Sequence, residues 1–234
     1  MSENKKCAVV GGGTMGRQIG LNAAIHGYTT TVCETVPAVR ENLLKWEEEY
    51  LMGRIAKGRM TSEQVESIKS RFSVTDDLKT AVIDTAIIIE SIIEDRRAKT
   101  KALQQISNLA PTDAIIGTNS SYMVSSLFKD VVSNPERLTN LHFFAPVLAM
   151  KLVEVVKGEH VSDATVEKAM DFCRAVDKTP VLVQKEEDGF IVNNILKVIK
   201  EEAYRLIHSG VCSIEDLDTA VKLGLGHPMG PFEL

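Results

Sequence analysis

No stretch of this 234-residue chain is long and apolar enough to span a membrane, and its N-terminus lacks a signal-peptide core. Met1 to Lys6 is polar and leads straight into a short apolar run, so a cytoplasmic protein is expected. Positive charge is also scarce: 27 Lys and Arg stand against 32 Asp and Glu, a formal net charge of −5. Aromatic residues make up only 5% of the chain and no Lys/Arg block interleaves with them, which argues against a nucleic-acid footprint. Cysteine is sparse. Cys7, Cys33, Cys173 and Cys212 show no CxxC or His-spaced grouping, so no metal site is expected, and the thiols read as reduced and buried.

What is present is a 44% hydrophobic content, enough to fill the core of one full domain and part of a second. Short Val/Ile-rich runs alternate with longer amphipathic stretches through about residue 185. This is the pattern of parallel strands joined by crossover helices. Strands are expected near Lys5–Val10, Thr29–Cys33, Ala86–Glu90, Ala114–Thr118, Leu138–Phe143, Leu152–Val156 and Val181–Val183. The charge-laced stretch from Ala38 to Arg71, broken near Gly58–Ser62, reads as a helical hairpin inserted after the second strand. From Asp188 the period becomes helical, with Phe190–Gly210 as one helix and Ser213 starting another. The expected domains are therefore 1–187 and 188–234, the second too short to bury a core alone.

The first strand runs directly into Gly11-Gly12-Gly13-Thr14-Met15-Gly16, a GxGxxG match opening a helix. Gly11 suits the tight turn, Gly13 a close backbone approach to a pyrophosphate, and Gly16 the packing of helix on strand. Free N–H groups of Thr14 and Met15 and the positive helix end would meet the phosphates. Glu34 ends the second strand 21 residues after Gly13, where a ribose-binding acid belongs. Its carboxylate would repel a 2′-phosphate, and no Arg stands beside it in sequence, so NAD is expected over NADP. The fold class is accordingly α/β: a Rossmann-type doubly wound, mostly parallel sheet with a helical hairpin insertion, followed by the start of an all-α C-terminal domain.

His142 closes one strand and Glu154 lies inside the apolar Leu-Val-Glu-Val-Val run. A carboxylate there is costly without a partner, and His142 is the natural one. Such a pair fixes the imidazole tautomer and raises its basicity, which suits removal of a hydroxyl proton. A core histidine bonded to backbone and an edge-strand glutamate facing water fit these residues equally well.

Six ordered segments resemble the L-3-hydroxyacyl-CoA dehydrogenase family. They are the glycine fingerprint, Ile89-Glu90-Ser91-Ile92-Ile93-Glu94, Thr118-Asn119-Ser120-Ser121, His142-Phe143-Phe144-Ala145-Pro146, Gly189-Phe190-Ile191-Val192-Asn193-Asn194 and Gly224 to Leu234. The resemblance implies His142 as general base, Glu154 as its orienting carboxylate, and Ser121 with Asn193 holding the substrate oxygen. Gapless spacing back from His142 selects Ser121, whereas matching the serine pair by eye selects Ser120. Asn119 would lie beside the nicotinamide, and Glu94 and Lys99 around the cofactor ribose and nicotinamide. Ser and Asn are also common turn residues, and Lys99 equally reads as a solvated helix charge. Lys57 is the cation best placed for the nucleotide end of an acyl-CoA substrate, and a solvated face fits it equally.

Three departures from the family pattern stand out. Ala145 replaces an asparagine before Pro146, Asn194 replaces an arginine, and Glu186-Glu187-Asp188 precedes Gly189 where a proline is common. The chain also stops at Leu234, short of the helices that complete relatives. An amphipathic helical stub with an uncovered apolar face is expected to form a homodimer. The alternatives are a gulonate-type sugar-acid dehydrogenase of the same wider family and a truncated, noncatalytic NAD-binding protein.

Overall fold

β-Branched residues alternate between two faces along each short strand, so a sheet built from them must be covered on both sides. The computed structural model describes residues 5–234 and shows this arrangement. Eight strands run in the order β3-β2-β1-β4-β5-β6-β7-β8. They are β1 Lys6–Val10, β2 Thr29–Cys33, β3 Phe72–Thr75, β4 Ile87–Glu90, β5 Ile115–Thr118, β6 Leu138–Phe143, β7 Leu152–Val156 and β8 Thr179–Val183. Strands β1 to β6 are parallel; β7 pairs antiparallel with β6, and β8 runs parallel to β7. Cys7 and Val9 share one core with Ile19 and Ala23 of α1 (Thr14–Ile25) and Phe172 of α6 (Asp163–Ala175). Ala8 and Val10 face the other, with Val82 of α4 (Leu78–Val82) and Leu103 and Ile106 of α5 (Arg96–Leu109). Burying each such aliphatic side chain contributes about 1.5–3 kcal/mol.

Strand β3 is absent from the sequence reading. It is four residues long, sits at the sheet edge, and offers only Phe72 and Val74 as apolar residues, so its period-2 signal is too short to separate from the preceding helix. Strand β8 begins at Thr179, two residues earlier than expected, because Pro180 is tolerated at the opposite edge. The hairpin consists of α2 (Pro37–Ala56) and α3 (Ser62–Lys69). The start of α3 is fixed by a capping box in which the Thr61 hydroxyl accepts from the Gln64 N–H at 3.2 Å and the Gln64 side chain accepts from the Thr61 N–H at 2.9 Å. Leu51, Val65 and Ile68 pack this hairpin on Leu21 and Ala24 of α1.

The chain divides into two compact units between Glu187 and Asp188. The second holds α7 (Val192–His208) and α8 (Ile214–Leu225). The Ser213 hydroxyl caps α8 by accepting from the Asp216 N–H at 3.0 Å. Asp218 accepts from the Phe232 N–H at 3.0 Å, and the Tyr204 and Phe232 rings meet edge to face. Ile195, Val198, Leu223 and Leu225 are exposed in this unit. Among the described residues no helix is long and apolar enough to cross a membrane.

Burial acts directly on the thiols. It pushes Cys7 and Cys173 up to about 12 and, with the carboxylates of Glu34, Asp77 and Asp76 adding to it, Cys33 up to about 11. All four cysteines are unpaired, and Cys212 alone is not buried. Ellman's reagent is therefore expected to modify Cys212 promptly in the native protein and the other three only on unfolding; prompt release from two or more sites would contradict the packing of the sheet.

Candidate active site

The first crossover sets the position of the cofactor crevice. β2 and β3 lie on one side of β1 and β4 on the other, so the connections diverge at the carboxyl ends of β1 and β4. Gly11 occupies this point with φ +104°, and a Cβ on it would lie 2.5 Å from the Ser91 carbonyl oxygen. A Cβ on Gly16 would fall 1.8 Å from the Gly11 carbonyl oxygen, so only glycine lets α1 approach the turn this closely. Gly13 faces open space, with nothing within 4 Å of where its Cβ would stand. It is the N-cap of α1, which has no side-chain cap and no acidic residue in its first turn. The helix end, with the N–H groups of Thr14 and Met15, is thus left available for an anion.

Glu34 stands beside this turn. Its carboxylate accepts from the Gly12 N–H at 2.8 Å and the Val36 N–H at 2.9 Å, which fixes its orientation. A cavity of about 480 Å³ is lined by Gly11, Gly13, Glu34, Val39, Leu78 and Ile92, among others. The fold brings Arg40 closer to Glu34 than the sequence suggests. Its guanidinium donates to the backbone carbonyls of Glu34 and Thr35 and pairs with Asp76 at 3.1 Å, so its charge is already matched by a carboxylate.

The second cluster depends on strand register. In the antiparallel β6–β7 pair His142 lies directly opposite Glu154. His142 Nδ1 is 2.8 Å from the Glu154 carboxylate, and Nε2 is 3.1 Å from the Ser121 hydroxyl. Glu154 is fully buried, and β7 is flanked on both sides, so it is not an edge-strand residue facing water. The Phe144 ring lies 4.5 Å from the imidazole. The tautomer follows from the carboxylate: Nδ1 carries the proton donated to Glu154, and Nε2 presents a lone pair toward Ser121.

Between the two clusters lies a buried charge network that joins Glu94 and Lys99, both named from the sequence, to Glu90 and Thr118, to which the sequence reading gave no role. Glu90, at the end of β4, is fully buried and accepts from Lys99 Nζ at 2.8 and 3.1 Å, from the Thr118 hydroxyl at 2.6 Å and from the Ile92 N–H at 2.8 Å. Lys99 is 1% exposed and also meets Glu94 at 3.2 Å, so it is not a solvated helix charge. Its ammonium therefore lies within 3.2 Å of three carboxylate oxygens. Partial burial pushes the Glu94 carboxyl up, but the Ser120 hydroxyl, the Lys99 charge and the Tyr122 N–H outweigh it and hold the group below the usual carboxylate range. Ser120 donates to Glu94, whereas Ser121 is the serine at His142. Asn119 accepts from the Phe143 N–H at 2.9 Å through its side-chain oxygen, tying the end of β5 to that of β6. The signal for Glu90 was in the sequence: a carboxylate closing an all-isoleucine strand, nine residues before a lysine, demands a partner.

The remaining residues are dispersed. Lys57 is the exposed C-cap of α2. Asn193 lies in the first turn of α7, in the helical unit. Asn194 donates to the carbonyls of Asp188 and Phe190 at 2.8 and 2.6 Å, capping the start of that unit. Glu186 accepts from the Ser125 hydroxyl at 2.8 Å and the Ser126 N–H at 2.9 Å, so its charge is used locally.

Two family models match the chain: 3-hydroxyacyl-CoA dehydrogenase, NAD binding domain, over residues 6–187, and 3-hydroxyacyl-CoA dehydrogenase, C-terminal domain, over residues 189–234. The mitochondrial hydroxyacyl-coenzyme A dehydrogenase of Rattus norvegicus is 38% identical, the alignment covering 98% of this chain and 74% of the relative. The probable 3-hydroxybutyryl-CoA dehydrogenase of Bacillus subtilis is 33% identical over 99% of this chain and 80% of the relative. Among solved structures, (S)-3-hydroxybutyryl-CoA dehydrogenase from Ralstonia eutropha superposes with a TM-score of 0.94 at 30% identity, covering 98% of this chain and 80% of that one. A double-wound sheet with an uncapped glycine turn, matched along nearly its whole length at this identity, leaves one conclusion: the chain belongs to the 3-hydroxyacyl-CoA dehydrogenase family.

Proposed function

We propose that the protein oxidises L-3-hydroxyacyl-CoA to 3-ketoacyl-CoA with NAD, and catalyses the reverse reduction, with His142 as the general base. The observation that carries this reading is the buried imidazole held between Glu154 and Ser121. Gly11, Gly13, Thr14, Met15 and Gly16 fit the pyrophosphate, Glu34 the adenosine ribose, and Glu94 and Asn119 the nicotinamide side. When bound, NAD supplies the acceptor for the hydride that leaves carbon 3 of the substrate.

The protein's own contribution is proton transfer and orientation. Nε2 of His142 removes the proton of the 3-hydroxyl in oxidation and returns it in reduction. Glu154 stabilises the positive charge that appears on the imidazole only as the proton moves, an interaction stronger in the transition state than in the ground state. Ser121 is proposed to hold the reacting oxygen, Asn193 is proposed as a substrate-binding residue of the helical unit, and Lys57 is proposed to meet the phosphates of CoA. Lys99, which is buried and paired with both carboxylates, is proposed to act on the cofactor side of this site through Glu90 and Glu94. The exposed Ile195, Val198, Leu223 and Leu225 support a homodimer, and the proposed location is the cytoplasm.

His142→Ala is expected to lower kcat for NADH-dependent reduction of acetoacetyl-CoA by about 10²- to 10⁴-fold while NADH fluorescence still reports binding. NADH binding by the unaltered protein without turnover of acetoacetyl-CoA would sink the reading, in favour of a sugar-acid substrate if gulonate is oxidised, or of a noncatalytic NAD-binding protein if it is not. In a separate test, Glu34→Gln should reduce discrimination between NADH and NADPH by about 10-fold, the removal of one carboxylate repulsion from a 2′-phosphate. An unchanged ratio of the two dissociation constants would show that Glu34 does not select the cofactor.

A further inference from the structure

Ser120 has no place in the proposed proton transfer, yet its side chain is buried and hydrogen-bonded on both sides. It is 1% exposed. Its hydroxyl donates to Glu94 and accepts from the Met123 N–H at 2.8 Å. The neighbouring positions are fixed in the same way: Thr118 donates to Glu90, the Asn119 N–H reaches the Glu90 carbonyl at 2.8 Å, and the Asn119 side chain accepts from Phe143, next to His142. Lys99 bridges Glu90 and Glu94, so both carboxylates that receive this segment are held by one ammonium. The residue delivered by this scaffold is Ser121, whose hydroxyl lies 3.1 Å from His142 Nε2.

We infer that Ser120 is a positioning residue: through its bond to Glu94 it sets the backbone that presents Ser121 to His142, and so couples the loop between β4 and α5 to the proton-transfer pair. The two adjacent serines divide the work. Ser121 faces the reacting oxygen, and Ser120 anchors Ser121 to the cofactor side of the crevice. Alanine at 120 removes only the hydroxyl and keeps the Cβ packing, and a shift of about 1 Å in a reacting group can cost up to ~10²-fold in rate. The kinetic consequence rests on the dehydrogenase reading; the geometric one does not.

The test compares the unaltered protein, Ser120→Ala and Ser120→Thr by acetoacetyl-CoA reduction, melting temperature and the ¹⁵N resonance of His142 Nε2 in protein without ligand. Ser120→Ala should lower kcat about 10-fold with KM for NADH and melting temperature close to the original, and should move the Nε2 resonance as its contact with Ser121 loosens. Ser120→Thr keeps the hydroxyl and should restore both. An unmoved Nε2 resonance in Ser120→Ala overturns the inference, as does a loss confined to KM for NADH, which would make Ser120 a cofactor contact. If the unaltered protein does not turn over acetoacetyl-CoA, the dehydrogenase reading fails, while a resonance moved by alanine and restored by threonine still upholds the positioning role.

Discussion

A carboxylate buried inside a sheet must find its counterpart at the moment the strands pair, and Glu154 imposes that condition on the whole C-terminal half of the domain. The unpaired cost of such a group is several kcal/mol, a large fraction of the stability of a domain this size. His142 satisfies it only in the observed β6–β7 register. A slip of one residue would turn both side chains to opposite faces and strand the charge among aliphatics. The antiparallel reversal at β7 sets this alignment, and the pairing of β7 with β8 keeps Glu154 off the sheet edge.

A second buried charge cluster follows the same logic with different elements. Glu90 and Lys99 come from the end of β4 and from α5, and Thr118 from β5, so the network joins three consecutive pieces of the Rossmann core. Glu90 and Lys99 are almost wholly buried, whereas Glu94 is partly exposed. The network's hydrogen bonds tie the segments that follow β4 and β5 to each other and to α5.

How much of this was legible before folding depends on the range of the interaction. The glycine turn, Glu34 and the long alternation of strands and helices are local patterns, and the α/β class with its hairpin followed from them. The likeness of six short segments named His142, Glu154 and Ser121 as a set, and the coordinates place these three side chains together. What local pattern does not carry is the identity of distant partners. Thr118 and Glu90 are 28 residues apart, and nothing near either names the other. For Lys99 the sequence left a cofactor-side residue and a solvated helix charge both open, because its burial is decided by pairing with Glu90 on β4 and not by its neighbours on the helix. Ser120 and Ser121 are the same residue type side by side; spacing back from His142 picked out Ser121, but the bond from Ser120 to Glu94 shows only in the direction of its hydroxyl. β3 escaped because four half-exposed residues at an edge make too weak a pattern.

The clamp on Arg40 has an evolutionary consequence. A lineage drifting toward phosphorylated dinucleotides needs a cation near the adenosine ribose, and this protein already has one six positions from Glu34. That cation is committed, however, to two backbone carbonyls and to Asp76. On the proposed role of Glu34, losing the acid at that position alone would weaken the hold on one coenzyme without freeing a ligand for the other. Asp76 would have to change as well, so the route between the two coenzymes passes through an intermediate that serves neither well.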